Sequence, residues 1–156
     1  LGNHEDRINR TIDDIPELDG TISTDDFKFK KYGWEVHEYQ IPVVVDGVYY
    51  CHNFPAGVMG KPISGDNIGR SLLIKNKVSS TVGHIHTFDY AICALPSGKK
   101  LMGLSAGCYL HHKENYAKNT QQMWWSGLIV KRNVDKGEYD LEMMEYNTIR
   151  RKYGKK

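Results

Sequence analysis

The sequence predicts an α/β domain in which strands outnumber helices. Runs of β-branched and aromatic residues flank turn-forming residues at three points, while only two short segments have helical character. Gly- and Pro-rich loops separate these elements, so residues 1–149 are interpreted as one domain, followed by a basic tail over residues 150–156. A chain of 156 residues has room for one hydrophobic core and is short for two.

Three strand pairs and one further strand are expected. The first pair, residues 41–45 and 48–51, flanks Asp46-Gly47, a dipeptide that suits a type I′ turn. The second pair covers residues 89–95 and 100–104, and the third covers residues 126–132 and 138–145. A single strand is expected over residues 78–82. Helices are expected over residues 68–75 and 6–18, and Pro16 should end or bend the latter.

Composition places the chain among ordinary globular proteins. Apolar residues make up 40% of it and charged residues 26%, and its longest apolar runs are strand-sized. The three cysteines, Cys51, Cys93 and Cys108, are widely spaced in apolar surroundings, which predicts reduced, buried thiols. With no leader-like opening, these features predict a cytoplasmic protein with no membrane partner. The first residue is Leu1, and we therefore expect the chain to begin inside a longer gene product.

Charge is distributed unevenly, although the net charge is only +2. Acidic residues crowd the first 26 positions, and the last seven positions contain five cations: Arg150, Arg151, Lys152, Lys155 and Lys156. A basic tail of this kind has two interpretations. It binds the phosphates of a nucleic acid, or it is simply solvated.

Side chains able to bind a metal follow two of the predicted strands, and a third set follows a strand end expected at residue 1. The three motifs are Gly2-Asn3-His4-Glu5, His52-Asn53 and Gly83-His84-Ile85-His86. If the strands lie side by side in one sheet, these imidazoles and the amide converge at one edge of it. Imidazole nitrogen and amide oxygen are ligands for zinc, manganese and iron. The glycines at positions 2 and 83 would let the backbone turn tightly beside them.

In order and spacing, these motifs resemble the downstream half of the calcineurin-like metallophosphoesterase signature. The first motif matches in full, the third has Ile85 in place of the more usual threonine, and the second has Asn53 where the family generally has glycine. The resemblance covers residues 2–86 and, more loosely, the strands up to about residue 145. It implies the strand-rich carboxy-terminal half of a four-layer αββα sandwich, in which two sheets are flanked by helices.

The resemblance also implies residue roles in the hydrolysis of a phosphate mono- or diester. Asn3, His52 and His84 would hold one divalent metal ion, and His86 would contribute to a second; the ions would be Mn, Fe or Zn. His4 would contact the phosphate and act as general acid toward the leaving oxygen. In the family, a hydroxide held between two metal ions attacks phosphorus in line. The substrate would be a phosphoprotein, a nucleotide or a nucleic acid.

The upstream half of the signature is missing from this chain. The family supplies an Asp-x-His pair and a Gly-Asp-x-x-Asp stretch there, and this sequence contains no Asp-x-His. The stretch from Gly65 to Gly69 is superficially similar, but Gly69 stands where the second acid belongs. Without a bridging carboxylate, neutral ligands should bind metal weakly. We therefore expect the chain by itself to be a poor or inactive hydrolase.

Two other functions are open on the sequence alone. One is a non-catalytic binding or regulatory module that kept the motifs by descent. The other is a nucleic-acid-binding protein that uses Trp124-Trp125 and the basic tail, although the same tryptophans have a structural interpretation, in which one packs on the sheet and the other covers an edge. Cys108 with His111-His112 suggests a metal site or a nucleophile–base pair, but no Asp or Asn partner is identifiable.

Overall fold

The fold is mixed α/β, as the sequence predicts. The computed structural model describes residues 1–154, so Lys155 and Lys156 of the predicted basic tail lie outside the described residues. The helices are α1 (Asp6–Asp14), α2 (Ile68–Asn76) and α3 (Tyr146–Tyr153). The strands are β1 (Val43–Val45), β2 (Val48–Cys51), β3 (Pro55–Ala56), β4 (Lys61–Pro62), β5 (Ser80–Val82), β6 (Phe88–Ala94), β7 (Lys100–Ala106), β8 (Gly127–Asp135) and β9 (Glu138–Glu145).

A five-stranded mixed sheet forms the centre of the domain. Its strand order is β1-β2-β5-β7-β6. The inner pairs β2–β5 and β5–β7 are parallel, while β1 and β6 each run antiparallel to their neighbour. The strands β8 and β9 form a separate antiparallel hairpin. Because β2, β5 and β7 are parallel, the loops that follow these three strands leave the sheet at the same edge.

The predicted turns are confirmed where the backbone needs a left-handed conformation. Between β1 and β2, Asp46 and Gly47 have φ angles of 49° and 80°. Between β8 and β9, Lys136 and Gly137 have φ angles of 48° and 93°. Glycine and aspartate tolerate such φ values, which is why Asp46-Gly47 predicts a hairpin, and in the second turn Gly137 has this tolerance while Lys136 does not. The two turns also contact each other, since the Gly137 N–H donates to the Asp46 carbonyl at 2.8 Å.

Two of the three helices are where the sequence places them. α1 ends at Asp14, just before Pro16, whose ring cannot continue a helix, and a short 3-10 turn follows over Pro16–Leu18. The third helix, α3, is not predicted from the sequence. Its last turn holds the first three cations of the tail, Arg150, Arg151 and Lys152, where positive charge favours the helix dipole. None of the helices within residues 1–154 is both long and apolar enough to cross a membrane.

The sheet carries a hydrophobic cluster on each face. On one face, α2 contributes Ile68 and Leu72, which pack with Phe54, Ile63 and Val82. On the other face, the β8–β9 hairpin contributes Tyr139, which packs with Val48 and Met102. The cysteines differ from expectation. All three are free, but each is only partly buried: Cys51 ends β2, Cys93 lies in the edge strand β6, and Cys108 lies in the connection after β7.

Two glycines set how closely α2 approaches the sheet. A Cβ atom added to Gly69 would lie 2.7 Å from the carbonyl oxygen of Gly103, and one added to Gly103 would overlap the backbone of Gly69. The Gly69 N–H donates to the Asp89 carboxylate at 2.8 Å, which holds the first turn of α2 on the sheet. Gly69 is therefore a packing residue, and this position has no room for the acid that the family's upstream motif would carry.

A lysine lies between the hairpin and the sheet. The Lys131 ammonium of β8 donates to the Tyr50 hydroxyl at 3.0 Å and to the Thr81 hydroxyl at 2.5 Å. It also lies 4.1 Å and 4.6 Å from the ring centroids of Tyr50 and Tyr139. Burial lowers the pKa of Lys131 from its ordinary value of 10.5 to about 7.

Substituting Gly103 by alanine should destabilise the fold by about 2 kcal/mol, because the new methyl group overpacks the contact between α2 and β7. Gly83→Ala is the matched control, since a Cβ atom there meets no atom within 4 Å. Urea unfolding followed by circular dichroism measures both free energies. Equal stability of the two variants would contradict the close contact between Gly69 and Gly103.

Stability should rise with pH between about pH 7 and about pH 10 because of Lys131. In this window the unfolded chain still binds the lysine proton that the folded protein has released, so raising the pH favours the folded state. Below about pH 7 the folded and the unfolded chain both bind the lysine proton, so the stabilisation gained at higher pH is absent. Urea unfolding across the window should show the rise in wild type and a flatter dependence in Lys131→Met. Lys75→Met, which changes an exposed lysine of α2, should keep the wild-type slope.

Candidate functional site

Two parallel neighbours, β2 and β5, bring the second and third histidine motifs to one edge of the sheet. Tyr50 pairs with Thr81 and Cys51 with Val82, so His52 and Gly83 are the first residues past the paired ends. The His52 carbonyl accepts a hydrogen bond from the His84 N–H at 2.8 Å and a longer one from the Gly83 N–H at 3.3 Å. The two loops therefore stay joined beyond the strands, which confirms the expected convergence.

Three ligand-type atoms meet at this edge. His52 Nε2 lies 2.6 Å from Asn3 Oδ1 and 3.0 Å from His84 Nδ1. A ring nitrogen carries at most one proton, so at most one of these two contacts can be a hydrogen bond donated by His52. Metal–nitrogen bonds of about 2.1 Å at right angles would place neighbouring ligand atoms about 3.0 Å apart. The separation of His52 Nε2 and His84 Nδ1 matches this value, and Asn3 Oδ1 lies closer to His52 than this, so the two histidines are the pair spaced to share a divalent ion.

Asn3 reaches the sheet edge from a turn that leads directly into α1, and α1 holds the first motif in place. The expectation of a strand end before this motif is wrong, because residues 3–5 form the turn at the start of the helix. Arg10 of α1 donates to the Asn3 carbonyl at 3.1 Å and forms an ion pair with Asp6 at 3.2 Å. The Glu5 carboxylate accepts from the Gly2 N–H at 2.8 Å. The acidic start of α1 thus positions the backbone of the motif.

The glycines at positions 2 and 83 have different roles. A Cβ atom on Gly2 would lie 3.1 Å from His52 Nδ1, so glycine allows the imidazole to approach the chain closely, as expected. A Cβ atom on Gly83 would meet no atom within 4 Å. The expectation of a close approach at Gly83 is therefore wrong, because the loop after β5 faces open space at this point.

The remaining two predicted residues line the same cavity without joining the three-atom contact. The cavity has a volume of about 920 Å³ and is lined by Asn3, His4, His52, His84 and His86 together with residues of other segments. The His86 ring stands edge-on against Trp124 at a centroid distance of 4.2 Å. His4 is exposed at the mouth of the cavity. The structure therefore brings all five residues to one place, and only three of them into direct contact.

Burial lowers the pKa of His52, His84 and His86. The neighbouring imidazoles act in the same direction: His84 lowers the pKa of His52 and of His86, and His4 lowers the pKa of His84. Lowered pKa values favour the neutral rings, whose free lone pairs are what a metal ion binds. The electrostatics of the cluster thus agree with its geometry.

Carboxylates are present at the cavity but have other partners. Glu5 is hydrogen-bonded to Gly2, and Glu114 pairs with His112 at 2.6 Å. Within residues 1–154, no group of three or more His, Cys, Asp or Glu side chains is placed to hold a metal ion. The cluster of Asn3, His52 and His84 includes an amide oxygen in place of a third such side chain. Its donors fit one divalent ion, with neutral ligands only.

One wall of the cavity is not predicted from the sequence. Leu110, Glu114, Tyr116 and Trp124 come from the long connection between β7 and β8 and face the histidines. The only signal for it in the sequence is that a 20-residue connection, long for a compact domain, contains several aromatic residues. Of the tryptophan pair, Trp125 packs on Phe88 at 5.3 Å, as the structural interpretation expects, while Trp124 lines the cavity.

The contacts of Asn53 and Cys108 show what these two residues do in the structure. Asn53, which departs from the family motif, is buried, donates to the Tyr39 hydroxyl at 2.8 Å and accepts from Gln40 at 2.9 Å. It therefore ties the segment before β1 to the end of β2. Cys108 does not form a pair with the following histidines, since its thiol donates to the Trp125 carbonyl at 3.5 Å.

No protein-family model, curated protein or solved structure matches this chain.

Proposed function

We propose that the chain carries part of a two-metal phosphoesterase site of the calcineurin-like type, which hydrolyses a phosphate mono- or diester. The observation that carries the proposal is that Asn3 Oδ1 and His84 Nδ1 lie 2.6 Å and 3.0 Å from the same atom, His52 Nε2. These residues come from two motifs after parallel strands and one motif before a helix. They are the three residues that the family resemblance assigns to one ion.

Each residue has a distinct task in this proposal. Asn3, His52 and His84 would hold the first ion, while His86, whose ring stands against Trp124, would contribute to a second. When bound, such ions would supply positive charge for the phosphate and would lower the pKa of a water molecule. His4, exposed at the mouth, contacts the phosphate and donates a proton to the leaving oxygen.

The proposal includes a second layer that brings the missing carboxylate ligands. α2 covers one face of the five-stranded sheet, and the β8–β9 hairpin covers part of the other. An apolar cavity of about 560 Å³ lies between Val43, Tyr50 and Thr81 of the sheet and the segment of residues 29–41. A second sheet that displaced this segment would complete a four-layer αββα sandwich. An Asp-x-His pair and a Gly-Asp-x-x-Asp stretch on that sheet would supply the bridging carboxylate.

The chain alone should bind one divalent ion weakly through its neutral ligands. Titration with Co²⁺, followed by its visible absorption, should give saturable binding that His84→Ala and Asn3→Ala each weaken by at least about tenfold. Asn3→Asp should strengthen binding, because it adds a negative charge to the ligand set.

The control for metal binding is His37→Ala, which removes an imidazole outside the histidine cavity. It should leave the affinity for Co²⁺ unchanged. If His84→Ala binds Co²⁺ as tightly as wild type does, the three-atom cluster is not a metal site and the proposal is wrong.

Hydrolysis should require the upstream ligands. With Mn²⁺, p-nitrophenyl phosphate and bis-p-nitrophenyl phosphate should be hydrolysed by the chain extended with its gene's preceding sequence. The present chain should be nearly inactive, and His84→Ala in the extended chain should abolish the activity. Lack of activity in the extended chain with any divalent metal would favour the non-catalytic binding module.

His4 should act on the leaving group rather than on binding. In the extended chain, His4→Ala should slow hydrolysis of an alkyl ester by about a hundredfold, because an alkoxide leaves only with a proton. The p-nitrophenyl ester should be slowed only a few-fold, since its leaving group is stable as an anion. Equal losses of kcat on the two esters would mean that His4 has no general-acid role.

A further inference from the structure

The connection between β7 and β8 and the helix α3 form one continuous surface that begins in the histidine cavity. Leu110 lines the cavity, and its carbonyl accepts a hydrogen bond from the Ser126 hydroxyl at 2.7 Å. The Ser126 carbonyl accepts from the Tyr146 N–H at 2.8 Å, where α3 begins. The His111 ring stacks on Tyr146 at 5.3 Å, with 15° between the planes. The first turn of α3 is therefore attached to the rim of the cavity.

Aromatic rings lie along this surface, and two of them are largely exposed. Tyr116 is 63% exposed, and its ring centroid lies 6.1 Å from that of Trp124. Trp124, whose ring contacts His86, is itself only half-buried. Tyr109 is 52% exposed at the edge of the Tyr146 ring, 5.5 Å away. Burying these rings in the core would stabilise the fold more than leaving them exposed does. Exposed rings beside a cavity are therefore suited to binding a ligand.

Positive charge continues the surface along α3. The helix carries Arg150, Arg151 and Lys152, all exposed, and no carboxylate within Tyr146–Tyr153. Arg150 is four residues after Tyr146 and so lies on the same side of the helix as the stacked rings. One carboxylate, Glu145, stands directly before the helix and accepts a hydrogen bond from Asn147. Its one negative charge against three positive charges leaves Glu145–Tyr153 with a net charge of +2 next to the aromatic rings.

We propose that this surface, from Tyr116 and Trp124 over His111 and Tyr146 to the cations of α3, binds a single strand of nucleic acid. Bases stack on the rings, and the phosphates follow the arginines and lysine. A single strand exposes its base faces, whereas a duplex hides them, so exposed rings favour the single strand. Strand binding itself does not depend on the proposed phosphoesterase activity. The inference rests on that activity only where it has the bound strand deliver a phosphodiester to the histidine cavity.

Binding is measured without catalysis. Fluorescence anisotropy of a dye-labelled single strand of about a dozen nucleotides, as DNA and as RNA, is recorded with EDTA over a series of salt concentrations. Wild type should bind with an affinity that falls as salt rises. Replacing Arg150, Arg151 and Lys152 by glutamine should lower the slope of log affinity against log salt by about 2, because three phosphate contacts are lost.

The matched control carries glutamine at Lys75, Lys99 and Lys100, three exposed lysines at the opposite end of the sheet from α3. It should keep the wild-type affinity and slope. For stacking, Tyr116→Ala should weaken binding by about tenfold, while Tyr116→Phe should retain it. Tyr116 is exposed, so neither change should affect folding, and circular dichroism checks this.

The outcomes separate this inference from the proposed function. Equal binding by the α3 triple variant and its control, or a preference for duplex over single strand, would overturn the strand-binding surface. Strand binding that survives chelation, with no hydrolysis in the extended chain, supports the surface and counts against the esterase. Hydrolysis of p-nitrophenyl esters without strand binding supports the esterase and rejects the surface.

Discussion

The parallel pairing of β2 with β5 is the constraint on which the candidate site depends. Parallel strands end at the same edge of a sheet, so residues 32 positions apart in sequence, His52 and His84, become neighbours. The hydrogen bond from the His84 N–H to the His52 carbonyl extends this pairing into the loops. Asn3 then completes the cluster from α1. If β2 and β5 were separated by another strand, the donor atoms could not meet.

The two faces of the sheet support this arrangement differently. On one face, α2 approaches so closely that Gly69 contacts the backbone of Gly103 in β7, the neighbour of β5. On the other face, a lysine of the hairpin lies between tyrosine rings and donates to hydroxyls of β2 and β5. Lys131 therefore bonds to the two strands that carry the histidines. Its desolvation costs stability, which the two hydrogen bonds and the contacts with the rings offset in part.

The local features of the fold follow from particular dipeptides and single residues. Asp46-Gly47 and Lys136-Gly137 need left-handed backbone, and both form hairpin turns where the sequence predicts them. Pro16 limits α1 because it has no N–H to donate. In contrast, α3 is not predicted, since a short basic segment resembles a solvated tail. Its position depends on Tyr146, whose N–H bonds to Ser126 and whose ring stacks on His111.

The sequence alone determined the residue types at the candidate site and the loops that carry them, because histidines after strands, and an asparagine before a helix, leave a local pattern with a glycine beside them. It also determined which family motif is incomplete. Only the tertiary structure decided that Asn3, His52 and His84 touch while His4 and His86 line the cavity. Strand order also placed Trp124, Tyr116 and α3 beside them. These relations depend on which strands pair and how layers pack, and such long-range contacts leave no periodic signal in the chain.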